Sequence, residues 1–220
     1  SAASDVYKRQ VLQYPIPYKC VIHEFDTSLN KKVRIIMKKR LFLVGSPPAS
    51  GKTYVSKKLA SKLNNPVYLD KDTIIPLSKA AYLAANEPYN RDSEFFNTYL
   101  RDPEYIAILD VAFEALEFND NVIVNAPFTK EFNNQEYIAG LRAKLADMDT
   151  ELVMVWVYCD LETIHARMIE RASDRDTWKL ENWDEYVKTK DNSKPTNKDV
   201  VVIDNKDEES VERQLQEAFF

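Results

Sequence analysis

The segment LFLVGSPPASGKTYVSKKLA, Leu41–Ala60, constrains this chain more than any other. An apolar run of strand length gives way to small and turn-forming residues, and Gly51-Lys52-Thr53 then opens a helical pattern. Strand, turn and helix in that order are the setting in which a GxxxxGK[ST] sequence cradles phosphate. Backbone N–H groups of the turn and of the first helical turn converge there, and the helix dipole favours negative charge. Lys52 is placed to reach β- and γ-phosphate oxygens, and the Thr53 hydroxyl to ligate Mg²⁺. Ser46, Ala49, Ser50, Gly51 and Tyr54 complete the expected nucleotide-binding loop. The pattern departs at its first glycine, where Ser46 stands and Gly45 lies one place early. Serine fits if its backbone angles stay in a region open to non-glycine residues, and Gly45 is expected to supply the missing permissiveness. The plain alternative is a chance Gly-Lys-Thr before an ordinary helix. Two of only 3 glycines flank this loop, which weighs against chance.

A length of 220 residues suits one domain, or one domain with a tail. From Met37 onward, short apolar runs alternate with helical patterns, the signature of a parallel sheet covered by helices. The expected strands are Arg40–Gly45, Pro66–Asp70, Asn121–Ala126, Glu151–Cys159 and Val200–Asp204. Most are nearly continuous in Val, Ile, Leu and aromatic residues, as strands buried on both faces are. Helices are expected over Gly51–Leu63, from Asp102 to about Phe118 with Asp102 as cap, over Asn133–Met148, Leu161–Ala172 and Glu208–Phe220. Right-handed crossovers then give an α/β, three-layer sandwich. Residues 1–36 share none of this patterning. They are read as a non-native or disordered extension ahead of a native start at Met37, the alternative being a genuine extension that adds a strand to a sheet edge.

The net charge of -5 argues against a nucleic-acid binder, which needs a basic face to displace counterions. No run approaches the roughly 18 apolar residues of a membrane span. The 2 cysteines, Cys20 and Cys159, form no spaced framework, so a reducing cytoplasm is expected.

Within phosphate-loop chemistry the residues discriminate. A GTPase needs DxxG and NKxD signals, and NKDE at Asn205–Glu208 carries glutamate where aspartate is required. A motor ATPase needs an Asp–Glu pair ending a core strand, whereas the third strand ends Asn125-Ala126-Pro127. A small-molecule kinase needs a carboxylate near the end of the second strand, an acceptor pocket and a lid with arginines. Asp70 and Asp72 supply the carboxylates. If the strand persists through both they share a face, with Asp70 serving Mg²⁺ and Asp72 the acceptor hydroxyl; the competing reading has one of them capping the next helix. The lid is expected near 162–180, where Arg167, Arg171 and Arg175 recur every four residues. Its competing reading is a solvated helix whose arginines are neutralised by Glu162, Glu170 and Asp174. Arg91 and Arg101, among Tyr89, Phe95, Phe96, Tyr99 and Tyr105, suit a polar or anionic acceptor, and Asn125 and Thr129 face the same crevice.

LFLVGSPPASGKT, VYLDKDTI, VIVNAPFTK and HARMIERASDRD together resemble the small bacterial P-loop kinase-like proteins, a group of AAA-family ATPases and kinases related to chloramphenicol phosphotransferase, gluconate kinase and zeta-toxin kinases. The resemblance spans about residues 37–220. It implies a P-loop NTPase fold with a parallel sheet ordered 2-3-1-4-5, ATP with Mg²⁺, Asp72 as the acceptor base, and Arg167 and Arg171 as catalytic lid residues beside Lys52. It leaves the acceptor open. Three readings remain: phosphotransfer to a small hydroxyl-bearing acceptor, an ATP-binding regulatory or ATPase module, and a nucleic-acid 5′-hydroxyl kinase, disfavoured by the charge.

Overall fold

The structure is a computed structural model that describes residues 39–172, 176–189 and 193–220. The expectation for residues 1–36 falls outside them, as does the one for Arg175. Strands β1 (Lys39–Gly45), β2 (Val67–Asp70), β3 (Asn121–Asn125), β4 (Thr150–Tyr158) and β5 (Val200–Asp204) form one sheet in the order β2-β3-β1-β4-β5. All neighbouring pairs are parallel. The expected order and direction therefore hold. Central β1 has Leu43 beside Val124 of β3 and Met154 of β4, which places the phosphate loop at the carboxyl edge of the middle strand.

Alternation along the strands builds two cores. Leu41, Leu43, Val122, Val124, Met154 and Trp156 face α3 (Arg101–Leu116) and α4 (Gln135–Ala146). Phe42, Val44, Ile123, Val155 and Val157 face α1 (Lys52–Lys62) and α8 (Glu208–Phe219). Successive side chains point to opposite faces, and both faces are covered, so both parities are apolar.

Several helices start where a short polar side chain satisfies an orphan amide. Asn134 accepts from Tyr137 N–H at 3.0 Å, Asp160 from Thr163 N–H at 2.8 Å, and Asp207 from Ser210 N–H at 2.8 Å. The start of α3 differs from expectation. Asp102 lies inside its first turn and caps nothing, because one π-helical turn, Phe96–Leu100, runs directly into the helix. The cap lies further back, where Ser93 Oγ accepts from Phe96 N–H at 3.1 Å. Strand β2 also stops earlier than Asp72. A 3₁₀ turn, Lys71–Ile74, follows Asp70 and leads into α2 (Ile75–Ala84). After β4, α5 (Leu161–Arg171), α6 (Thr177–Glu181) and α7 (Trp183–Thr189) precede β5. Cys159, Ile164, Met168 and Tyr186 form a small core there, and Ala49 of the phosphate loop packs against it. Among the described residues, no helix is long and apolar enough to cross a membrane.

Candidate nucleotide and acceptor site

The turn between β1 and α1 is built by close backbone approach. Gly51 adopts φ +84°, and a Cβ there would fall 2.0 Å from Asn205 Nδ2. Only glycine meets both demands. Gly51 also offers α1 no capping side chain, and the first turn of α1 holds no acid. In that respect α1 differs from α4, α5 and α8, and its amide end is suited to an external anion. Gly45 does not provide the conformational freedom expected of it: its φ is not positive, and the left-handed residues of the turn are Ala49 at φ 63° and Gly51. Gly45 is required for space, since a Cβ would meet Pro127 O at 2.9 Å and Phe132 Cε2 at 3.0 Å. Ser46 needs no positive φ either, and its N–H donates to Pro127 O at 3.0 Å.

A brace behind the loop was not legible in the sequence. Asn205, buried at the end of β5, donates through Nδ2 to Ser50 O at 2.8 Å. Arg167 of α5 donates to Asn205 O at 3.2 Å and to Ser50 O at 3.5 Å, and lies 3.3 Å from Cys159 Sγ. The structure thus brings Arg167 to the nucleotide loop itself, against its carbonyl side. Burial pushes the Cys159 thiol up, and the Arg167 charge opposes this only in part.

In front of the loop lies a second network. Asn125, at the end of β3, donates through Nδ2 toward Asp70 Oδ2 at 2.7 Å, Tyr68 OH at 3.0 Å and Thr53 Oγ1 at 3.1 Å. The two residues expected to serve a metal, Thr53 and Asp70, are therefore tied to one amide. Burial raises the Tyr68 phenol well above its usual value, and the Asp70 charge adds to the effect. Asp70 also accepts from Asp72 N–H at 3.0 Å, so it caps the 3₁₀ turn. The two aspartates consequently share no strand face. Asp72 is exposed on that turn, one residue beyond buried Lys71. Among the described residues no three His, Cys, Asp or Glu side chains are grouped to hold a metal. One carboxylate and one hydroxyl nevertheless match Mg²⁺ at nucleotides, where phosphate and water oxygens complete the shell.

The remaining cations are engaged internally. Glu104 of α3 is buried and accepts from Lys71 Nζ, from Ser78 Oγ at 2.5 Å and from Arg91 at 2.9 and 2.6 Å. Burial alone would raise the Glu104 carboxyl, yet the hydrogen bonds from Arg91, Lys71 and Ser78 hold it below its usual value. Burial also lowers Lys71, whose single carboxylate partner does not make up for lost water and for the Arg91 charge. Arg101 pairs with Glu131 at 2.6 Å and Asp102 at 2.9 Å. Arg91 and Arg101 are thus not presented to an anionic acceptor in the expected way. Arg171 pairs with buried Asp176, which also holds Lys179 at 3.5 Å. Among the described residues the acid that pairs with Arg171 is Asp176, five residues away; Asp174 lies outside them. A shallow depression of about 460 Å³, lined by Leu109, Phe113, Tyr137, Gly140, Leu141 and Lys144, shares no residue with the loop.

No curated protein sequence matches the chain. Among solved structures, a candidate kinase from Chloroflexus aurantiacus J-10-fl is 14% identical, with a TM-score of 0.53 over 82% of this chain and 95% of that one. A gluconokinase from Sinorhizobium meliloti 1021 is 16% identical, with a TM-score of 0.49 over 82% and 93%. Kti12 from Chaetomium thermophilum, solved with ADP-AlF3, is 18% identical, with a TM-score of 0.49 over 80% and 95%. At such identities the likeness speaks for the fold alone, and the first of the three carries it. The family AAA_33, an AAA domain, matches residues 41–191, which include the phosphate loop, the aspartate turn and Asn125, so the chain belongs to that family.

Proposed function

We propose that this protein transfers the γ-phosphoryl group of ATP to a hydroxyl group of a small acceptor. The observation that carries the reading is the link from Thr53 through Asn125 to Asp70, which couples the phosphate-loop helix to the aspartate turn. The β3 strand ends there in an amide, where a hydrolytic ATPase needs an acid.

In this reading, amides at the start of α1 and the Lys52 ammonium hold the phosphates. Bound Mg²⁺ would supply charge neutralisation and a fixed geometry for the phosphates, held by Thr53 and Asp70. Asp72 accepts the proton of the acceptor hydroxyl as its oxygen bonds to the γ-phosphorus. The bond from that phosphorus to the bridging oxygen breaks, and ADP leaves. Arg171, once released from Asp176, neutralises charge on the migrating group. Arg167 fixes the loop from behind, and Arg175 belongs to the same proposed lid. The setting in this reading is cytoplasmic, where cysteines are kept reduced.

The test is ADP release over a panel of hydroxyl-bearing metabolites and antibiotics. Lys52→Ala is expected to abolish turnover, and Asp72→Asn to lower acceptor-dependent turnover by roughly 10²–10⁴-fold. Unchanged acceptor-dependent turnover in D72N would remove Asp72 from the mechanism. A second reading, an ATP-binding regulatory or ATPase module, is favoured by the internal pairing of Arg91 and Arg101. Turnover above background with any acceptor eliminates it.

A further inference from the structure

Asn125 has a polar atom that none of the described residues satisfies. Its side chain is 1% exposed, and among the described residues Oδ1 has no hydrogen-bond partner. Its orientation is not arbitrary. Asp70 Oδ2 lies 2.7 Å from Nδ2, and turning the amide over would set two oxygens with no hydrogen at that distance. Thr53 Oγ1 and Tyr68 OH also lie on the nitrogen side. Asp70 Oδ2, which can only accept, therefore fixes the nitrogen, and the orphan oxygen is left for a donor that the described residues do not provide. A buried carbonyl oxygen without a partner costs free energy, so the arrangement is intelligible where a ligand or ordered water completes it.

The residue type follows from the same surroundings. Aspartate at this place would confront Asp70 at hydrogen-bond distance, and two carboxylates so close cannot both ionise at neutral pH. An amide adds no second acid there and donates to Asp70 beside Thr53. We propose that Asn125 is a positioning residue: it holds the Asp70 carboxylate and the Thr53 hydroxyl in the one arrangement that receives a nucleotide-bound divalent cation, and it keeps Oδ1 for a hydrogen-bond donor, such as a water of that cation, that arrives with the nucleotide. The inference rests on the nucleotide-binding part of the function proposed above and not on the acceptor.

Calorimetric titration of the full chain with ADP, once in Mg²⁺ and once in EDTA, tests it. The quantity of interest is the ratio of the dissociation constant in EDTA to that in Mg²⁺. Asn125→Ala is expected to reduce that ratio about tenfold while leaving the affinity in EDTA within about twofold, because the amide cradle of α1 is intact. A residue that served only to support the fold would weaken binding equally with and without metal, leaving the ratio at its wild-type value; that outcome overturns the proposal. Asn125→Asp provides a second measurement, made without ligand. The crowded carboxyl pair is expected to hold a proton, so its folded-state pKa is raised, and thermal stability relative to wild type should fall as pH rises from 5 to 8. The double variant Asp70→Asn/Asn125→Asp should lose that pH dependence. A flat profile in N125D would show that the two side chains do not meet. Absence of ADP binding by the wild type would remove this proposal together with the proposed function, whereas normal binding without any acceptor turnover would remove the latter alone.

Discussion

At Gly51 one hydrogen atom stands where any side chain would strike Asn205, and the backbone occupies the left-handed region at the same point. Gly51→Ala therefore meets two penalties, strain at a positive φ and a contact of 2.0 Å with an amide nitrogen. Strain of this kind costs about 1–3 kcal/mol, equivalent to roughly a five- to 150-fold loss of ADP affinity if it falls on the bound loop. Removing Asn205 as well, in Gly51→Ala/Asn205→Ala, should recover part of the loss in a binding titration, since the clash is relieved while the strain stays. A double variant no better than the single one would show that the contact is immaterial. Arg171 poses a separate residue-scale question, because its guanidinium is held by the buried carboxylate of Asp176. For Arg171 to serve a phosphate it must leave that partner. Asp176→Asn weakens the hold, shifting the population toward a released arginine. ATP should then bind several-fold tighter, and adding Arg171→Ala should cancel the gain. Weaker ATP binding in D176N would mark Asp176 as scaffold alone.

At the scale of elements, the aspartate turn is located by helix α3 as well as by β2. Glu104 gathers Lys71 from the 3₁₀ turn, Ser78 from α2 and Arg91 from the segment after α2. Lys71 and Glu104 are each 3% exposed, so deleting one partner strands a buried charge. Glu104→Ala should cost about 3–5 kcal/mol of stability, whereas Lys71→Met/Glu104→Gln should be far milder. The depressed Glu104 carboxyl has a pH consequence as well. Its stabilisation is complete above the ordinary glutamate value of 4.5 and is lost as pH falls through the lower folded-state value. The acid limb of a thermal-melt profile should thus be shallower in Glu104→Gln than in wild type. Such links explain what sequence patterning reaches and what it misses. Asn134 as a helix cap is readable because cap and amide lie three residues apart. Glu104 with Lys71, or Asn205 with Ser50, joins residues 33 and 155 apart, and no local period encodes them. For the aspartate pair the motif marks two acids near the end of β2, but where β2 ends depends on Asp70 capping its own turn.

For the molecule as a whole, the sheet order was the most legible property, because the strand runs, the loop motif and the family resemblance all constrain the same topology. Both faces of the sheet carry closed apolar cores, one under α3 and α4 and the other under α1 and α8. Among the described residues, those that build these cores lie between Leu41 and Phe219. Stability in such a fold comes chiefly from apolar area removed from water, at about 25 cal/mol per Å². A shortened chain that retains all of these side chains retains that term. Met37–Phe220 also forms a compact unit of its own. We therefore expect a chain beginning at Met37 to melt within a few degrees of the full chain, about the shift that 1 kcal/mol produces in a domain of this size, and to bind ADP with unchanged affinity. Both quantities are measured side by side on the two chains. A much larger fall in melting temperature would mean that residues 1–36 contribute apolar contacts or strand pairing to the fold. A loss of ADP affinity at unchanged melting temperature would instead place part of that segment at the nucleotide, and the site would then extend beyond the loop, the aspartate turn and Asn125.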